Sequence, residues 1–187
     1  MGKGRVYAFE AMYYVIQVKT GQEQKTIDDI KRHMKDVSYF DVFSPSRKAL
    51  RKYKGEFKEV TERCFPGYIF VETENVEKLF FDLYWVPGFT RILGREGLTY
   101  HFASINEEES RMIDILYNAS SNRVTPISDI EVKEGDEIMI IEGPLMGVKS
   151  RIVKVNLHKR YALVELNLFS QRILTKVGIN IITKLHD

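Results

Sequence analysis

Hydrophobic and polar positions along this chain change period several times, and each change marks an element. Residues 13–19 alternate, which predicts a strand that stops at Thr20-Gly21. Thr20 with Glu23 makes a capping box. Ile27, Ile30, Met34 and Val37 then recur at helical spacing, leaving Lys25, Asp28, Asp29, Lys31 and Arg32 toward water. Residues 39–43 read as a second strand, ended by Ser44-Pro45. At Pro66-Gly67 the chain turns into Tyr68-Ile69-Phe70-Val71-Glu72, an aromatic-rich run of strand length. Alternation sends Tyr68 and Phe70 to one face and Ile69 and Val71 to the other. Two readings stay open here: one face builds the core while the other meets a partner, or both are buried.

Asn75 caps a helix to about Tyr84, with Val76, Leu79, Phe80 and Leu83 inward. Trp85 and Val86-Pro87-Gly88 end it, residues 89–93 make a short strand, and residues 94–97 a turn. Asn106 with Glu109 is a second capping box, opening a helix through Met112, Ile113 and Leu116. It dies in the polar residues 118–122, which have the texture of a linker. Beyond Ile130, short β-branched runs at 137–141, 150–155, 161–167, 172–177 and 180–184 alternate with turns, a pattern that predicts a small barrel. The expected organisation is a disordered leader (1–11), an α+β domain (12–118), a linker (119–129) and a β-barrel domain (130–187).

Composition narrows the class. A chain of 187 residues, 44% hydrophobic and 29% charged, can bury a real core. No apolar run is long enough to cross a bilayer, and residues 1–12 carry no signal-peptide pattern. The single cysteine, Cys64, excludes an internal disulfide and any cysteine-based metal cage, and suits a cytoplasmic protein. His33, His101, His158 and His186 lack metal-ligand spacing, and no nucleophile turn or phosphate-cradling glycine loop is present. Neither a catalytic site, a metal nor a cofactor is expected.

Net charge is only +2, so its distribution carries the argument. Residues 47–63 hold seven basic against three acidic side chains, net +4, around a possible hairpin turn at Lys54-Gly55-Glu56. This segment is either a solvated hairpin or a phosphate-contacting arm. Residues 143–184 hold eight basic residues against Glu165 alone, net +7. Lys149, Arg151, Lys154, His158, Lys159, Arg160, Arg172 and Lys176 are the candidate RNA contacts, since a basic strand face beside a basic tip is what a phosphate backbone requires. The alternative is a charged face that keeps the domain in solution.

Phe65-Pro66-Gly67-Tyr68-Ile69-Phe70-Val71-Glu72 resembles the central strand of the amino-terminal (NGN) domain of the NusG family of transcription factors. Three further segments match in order: Tyr13-Tyr14-Val15-Ile16-Gln17-Val18 with Gly21 and Glu23, then Val86-Pro87-Gly88-Phe89 running to Gly94, then Gly135-Asp136 with Glu142-Gly143-Pro144-Leu145-Met146-Gly147, which resembles the KOW motif. The resemblance implies an αβ sandwich with a mainly antiparallel sheet and flanking helices, followed by a five-stranded SH3-like barrel. It implies RNA polymerase as partner, through the β′ clamp helices and the β subunit, with Tyr13, Tyr14, Phe65, Pro66 and Tyr68 as an exposed docking patch. For the barrel it implies nascent RNA, NusE or Rho, with Phe169 as the NusE contact, in a monomeric protein without a membrane partner. Ser150 stands where the KOW pattern prefers glycine, and Phe169-Ser170-Gln171 replaces an aromatic followed by Gly-Arg. These departures, with the basic strands, make the chain most similar to LoaP, a specialised antiterminator type recruited by an RNA hairpin. A general elongation factor and a ribosome-associated KOW protein are the competing readings.

Overall fold

The computed structural model describes residues 12–34, 39–87, 91–92, 104–118, 122–168 and 171–184. The leader at 1–11, Val37, Phe89, the turn at 94–97, linker residues 119–121 and Phe169 with Ser170 lie outside the described residues. In chain order the elements begin with β1 (Met12–Gln17), α1 (Glu23–His33), β2 (Asp41–Phe43), β3 (Ser46–Tyr53), β4 (Glu56–Arg63) and β5 (Tyr68–Thr73). They continue with α2 (Val76–Leu83), β6 (Arg91–Ile92), α3 (Glu107–Tyr117) and β7 (Val124–Thr125). The last strands are β8 (Ser128–Val132), β9 (Ile138–Glu142), β10 (Ile152–Asn156), β11 (Tyr161–Leu168) and β12 (Gln171–Lys184). The described residues fall into two compact units, Met1–Ser44 with Pro66–Asn106, and Pro45–Phe65 with Glu107–Asp187. Residues 45–65 and 107–118, assigned by texture to the amino-terminal domain, thus make their contacts within the second unit.

The first unit is a four-stranded sheet in the order β2-β5-β1-β6 with antiparallel neighbours throughout. One face carries Tyr14, Ile16, Val18, Val42, Ile69, Val71 and Ile92, which pack with Ile27, Ile30 and Met34 of α1 and Val76, Leu79 and Leu83 of α2. Both helices therefore bury the stripes that their 3.6-residue period predicts. On the other face Tyr13 meets the edge of Phe43 at 6.0 Å between centroids, and Phe43 stacks on Phe70 at 5.8 Å. Ile69, Phe70 and Val71 are all buried, so alternation holds along β5 but neither face of it is left open. Of the two readings of that strand, the structure selects burial on both sides.

Helix α1 begins at Glu23 rather than directly after Thr20, and Gln22, at its N-cap, makes no side-chain cap. Glu23 has another task. It is fully buried, and its Oε1 accepts the Gly67 N–H at 2.7 Å. Gly67 carries φ +84, and its carbonyl accepts the Val18 N–H at 2.9 Å. A Cβ at Gly67 would lie 2.9 Å from the Thr20 hydroxyl, so the Pro-Gly turn is seated on the β1–α1 connection and needs glycine there. Asn75 caps α2 as its sequence predicts, its Oδ1 accepting the Lys78 N–H at 2.9 Å. Asp29, expected on the wet face, is buried and pairs with Arg32 at 3.1 Å.

In the second unit β3 and β4 form a regular hairpin closed by Lys54 and Gly55, both at positive φ as a two-residue turn requires. The base of β3 pairs in parallel with β7. The carboxyl-terminal strands form a five-stranded sheet in the order β10-β11-β12-β8-β9, so the chain has the mixed α+β composition expected, with β9 and β10 as the edges of this sheet. Residues 150–151 belong to a 3₁₀ turn rather than to the strand. Two strands expected at 172–177 and 180–184 are one 14-residue strand, β12. Its first part pairs antiparallel with β11 and its last part parallel with β8. Gly178 sits at the changeover. A Cβ there would stand 2.5 Å from the Lys48 carbonyl oxygen, so glycine serves close approach of β3, not a turn. Helix α3 buries Ile113, Leu116 and Tyr117, and Thr125 Oγ1 donates to the Leu116 carbonyl at 2.6 Å. Among the described residues no helix is long and apolar enough to cross a membrane.

Two substitutions test this account. Glu23→Ala leaves the buried Gly67 N–H without this acceptor and should cost about 1–3 kcal/mol in urea unfolding, with Glu23→Gln costing less because an acceptor remains. Gly178→Ala forces backbone apart from backbone and should cost about 1–3 kcal/mol by the same measurement.

Candidate nucleic-acid interface

Strand pairing decides which candidate cations share a surface. The β10–β11–β12 register places Lys154, Leu163 and Lys176 in one row and Asn156, Tyr161 and Gly178 two rows on, on the same face. Lys154 and Lys176 thus flank Tyr161, and Lys176 Nζ lies 4.8 Å from its ring centroid. Leu174, 47% exposed, lies on β12 between Lys176 and Arg172, two residues from each and so on their face. Lys149, His158 and Lys159 are exposed in the turns on either side of β10. In the second of these turns Asn156 Oδ1 accepts the Lys159 N–H at 2.8 Å, which fixes the loop that presents the lysine. The result is one face of β10, β11 and β12 on which Lys154 and Lys176 are interleaved with one aromatic and two aliphatic side chains.

The remaining candidates are engaged within the protein. Arg172 pairs with Glu165. Arg160, at φ +55, lays its guanidinium 4.8 Å from the Phe57 ring of the β3–β4 hairpin. Arg151 is mostly buried, pairs with Glu108, and lies 3.1 Å from Glu109 Oε1, both on α3. Burial alone would favour its neutral form, but the Glu108 hydrogen bond and the charges of both carboxylates raise its pKa above the ordinary arginine value. Phe169 lies outside the described residues.

At the hairpin base, buried Arg47 pairs with Glu62, which also accepts from Arg51 Nε at 2.5 Å. Burial would raise the Glu62 pKa; the Arg51 hydrogen bond and the charges of Arg47, Arg51 and Lys176 hold it below the ordinary carboxylate range. The basic segment is therefore partly neutralised where it joins the unit, while its outer half, 51–60, is exposed. Next to this pair lies Cys64. Its thiol is pushed up by burial, against hydrogen bonds with Tyr117 and Thr175 and the charge of Arg47. Tyr117 is fully enclosed, its hydroxyl 3.2 Å from Thr175 Oγ1, and burial drives its pKa well up.

The aromatic patch expected to be exposed is not. Tyr13, Tyr14 and Phe65 are 5%, 7% and 8% exposed, because Tyr13 packs on Phe43, Tyr14 joins the helix-facing core, and Phe65 lies against Tyr117 at 6.2 Å. Pro66 is exposed and Tyr68 half-buried. Tyr13, Tyr14 and Tyr68 share the sheet of the first unit, whereas Phe65 belongs to the second. The most exposed rings among the described residues are Phe81, Tyr84 and Trp85 at the end of α2, at 68%, 71% and 78% exposure, with Phe40, Tyr53 and Phe57 exposed as well. They were legible: Val76, Leu79 and Leu83 form the buried stripe with Phe80 half-buried against it, and Phe81, Tyr84 and Trp85 fall off it.

A model of the family described as "Transcription termination factor nusG" matches residues 11–114. The chain is 27% identical over 182 residues to the transcription termination/antitermination protein NusG of Streptococcus pyogenes, covering 95% of this chain and 98% of that protein. It is 26% identical over 160 residues to NusG of Lactococcus lactis, covering 83% and 84%. A solved structure described as "Domain interaction in Thermotoga maritima NusG" superposes with a TM-score of 0.52 at 18% identity, covering 90% of this chain and 93% of that one, a likeness of fold. The chain belongs to the NusG family, whose members are transcription termination/antitermination factors and not enzymes.

Partial burial of Cys64 sets a measurable outcome. Because its thiol pKa is raised, less thiolate is present near neutral pH than on a free cysteine, so maleimide labelling of the folded chain should be at least tenfold slower than in denaturant. The pH at which the rate reaches half its maximum should also lie above that of a free thiol.

Proposed function

We propose that this protein is a processive antiterminator of the NusG family, similar to LoaP, which docks on RNA polymerase and holds nascent RNA through its carboxyl-terminal sheet. The observation that carries the RNA contact is the row Lys154, Leu163, Lys176 beside Tyr161, with exposed Lys149, His158 and Lys159 at its ends. Lysines follow a phosphate backbone, while a ring and aliphatic side chains between them receive unstacked bases of a loop or bulge. RNA in A-form offers a narrow major groove, so a small sheet reads backbone and irregular bases in preference to a regular duplex. Arg151, Arg160 and Arg172 are secondary contacts, since each already has an internal partner.

For polymerase, Pro66 and Tyr68 are the accessible members of the family's docking set, directed to the β′ clamp helices. The rings of Tyr13, Phe43 and Phe70, in edge and stacked contact, stiffen the sheet that presents Tyr68. Exposed Phe81, Tyr84 and Trp85 add large area at small rotamer cost. NusE and Rho are the protein ligands this family reading leaves for the carboxyl-terminal sheet. The protein acts as a cytoplasmic monomer.

The relatives' description as termination/antitermination proteins fits a general elongation factor equally well. Transcription in vitro through a terminator, with and without a candidate leader hairpin upstream, separates the two. Readthrough that depends on the hairpin supports the antiterminator, and an equal effect on every template overturns it. In parallel, Lys154→Ala with Lys159→Ala should lower the dependence of log affinity on log salt by about two units for RNA. An unchanged slope removes these residues from the RNA contact.

A further inference from the structure

The outer half of the β3–β4 hairpin carries Arg51, Lys52, Lys54 and Lys58 against Glu56 and Glu59, and none of these cations belongs to the carboxyl-terminal cationic face. Its register sets Arg51 opposite Lys58 and Tyr53 opposite Glu56, so these four side chains share one face. Two cations directly opposed across a ladder repel, which by itself costs the hairpin stability. Arg51 gives its Nε to Glu62. Lys58 has no carboxylate partner among the described residues; its Nζ lies 5.2 Å from the centre of the Tyr53 ring, and Lys54 Nζ lies 5.6 Å from it. Tyr53 is 57% exposed at the tip, so its ring fills no core. The opposite face is engaged within the protein, where Arg160 covers Phe57 and Lys48 pairs with Glu59.

We infer that the Arg51–Tyr53–Lys58 face of the hairpin binds single-stranded RNA, a base stacking on Tyr53 while Arg51, Lys54 and Lys58 follow the phosphates. Cation and ring repeat here the pairing of Lys176 with Tyr161 on the carboxyl-terminal sheet. The two surfaces are joined through Glu62, which is bonded to Arg51 and also feels the charge of Lys176. The base of the hairpin abuts β12 there, with the Lys48 carbonyl in the space beside Gly178. A strand leaving a stem-loop held at Lys154, Lys176 and Tyr161 therefore runs onto the hairpin, which makes RNA the occupant; to that extent the site rests on the RNA reading above. A phosphate between Arg51 and Lys58 replaces their repulsion with shared attraction. The ring holds a base whatever its identity, since every base has a π-face. Glu56, across from Tyr53, repels phosphate, so the backbone passes on the Arg51–Lys58 side of the ring.

The test uses the full-length chain and fluorescein-labelled RNA probes: a blunt stem-loop with an internal bulge, and the same stem-loop with a single-stranded extension of about ten nucleotides at its 5′ or its 3′ end. At low salt the parent is expected to bind one of the extended probes about tenfold more tightly than the blunt one. Tyr53→Ala with Lys58→Ala, both at exposed positions, is expected to lose that gain and to bind the blunt stem-loop as the parent does. Tyr53→Phe keeps the ring and should keep the gain; losing it there overturns the stacking role. No gain from either extension in the parent, or an undiminished gain in the double variant, overturns the hairpin site and leaves the RNA reading standing. A detached single-stranded DNA of the extension's sequence that competes more strongly than the detached RNA assigns the hairpin to DNA and overturns the proposal too. Failure of the parent to bind any probe overturns both.

Discussion

A hydroxyl that is fully enclosed must find a partner, and much of the second unit is arranged around one. Tyr117 ends α3 with its oxygen out of reach of water, and an unpaired buried hydroxyl costs on the order of 1–3 kcal/mol. Thr175 of β12 and Cys64, just past β4, supply the contacts, while Phe65 packs edge-on against the ring. One residue therefore sets the register between a helix, the end of a hairpin and a long strand. The Arg47–Glu62–Arg51 group beside it obeys the same rule for charge, because a buried guanidinium persists only with its carboxylate.

From that constraint follows the division between occupied and available surface. Side chains drawn toward α3 and the hairpin, among them Phe65, Arg47 and Arg151, are committed to internal partners. Those on β10 and in its flanking turns that remain open to solvent include Lys149, Lys154 and Lys159. The first unit shows the same economy in apolar form. Its sheet buries Tyr13, Phe43 and Phe70 on one face and a mainly aliphatic layer on the other, and its most exposed rings among the described residues lie at the end of α2.

Glycine and glutamate show how local signals acquire non-local uses. Glu23 has the spacing of a capping residue but closes onto Gly67, forty-four positions away, because burial offers it a backbone donor that needs satisfying. Gly178 looks like a strand break, yet β12 runs through it, since the missing Cβ admits the Lys48 carbonyl. Asn75 and the Lys54-Gly55 turn, whose partners are close in sequence, do what their neighbours in the chain indicate.

Periodicity, caps and turn residues determined by themselves the helices, most strands, the change of texture before the carboxyl-terminal sheet, and the family, because each depends on interactions a few residues long or on motifs in fixed order. Exposure was decided only by tertiary structure. Alternation assigns Tyr13, Phe65 and Phe70 to faces but cannot tell what lies against a face, and here Phe43 and Tyr117 do. Charge counting found the basic carboxyl-terminal run, but which cations are spent internally depends on α3 and the hairpin arriving from some forty to a hundred positions earlier in the chain. Burial and pairing are properties of the packed chain, and no window of sequence contains both partners.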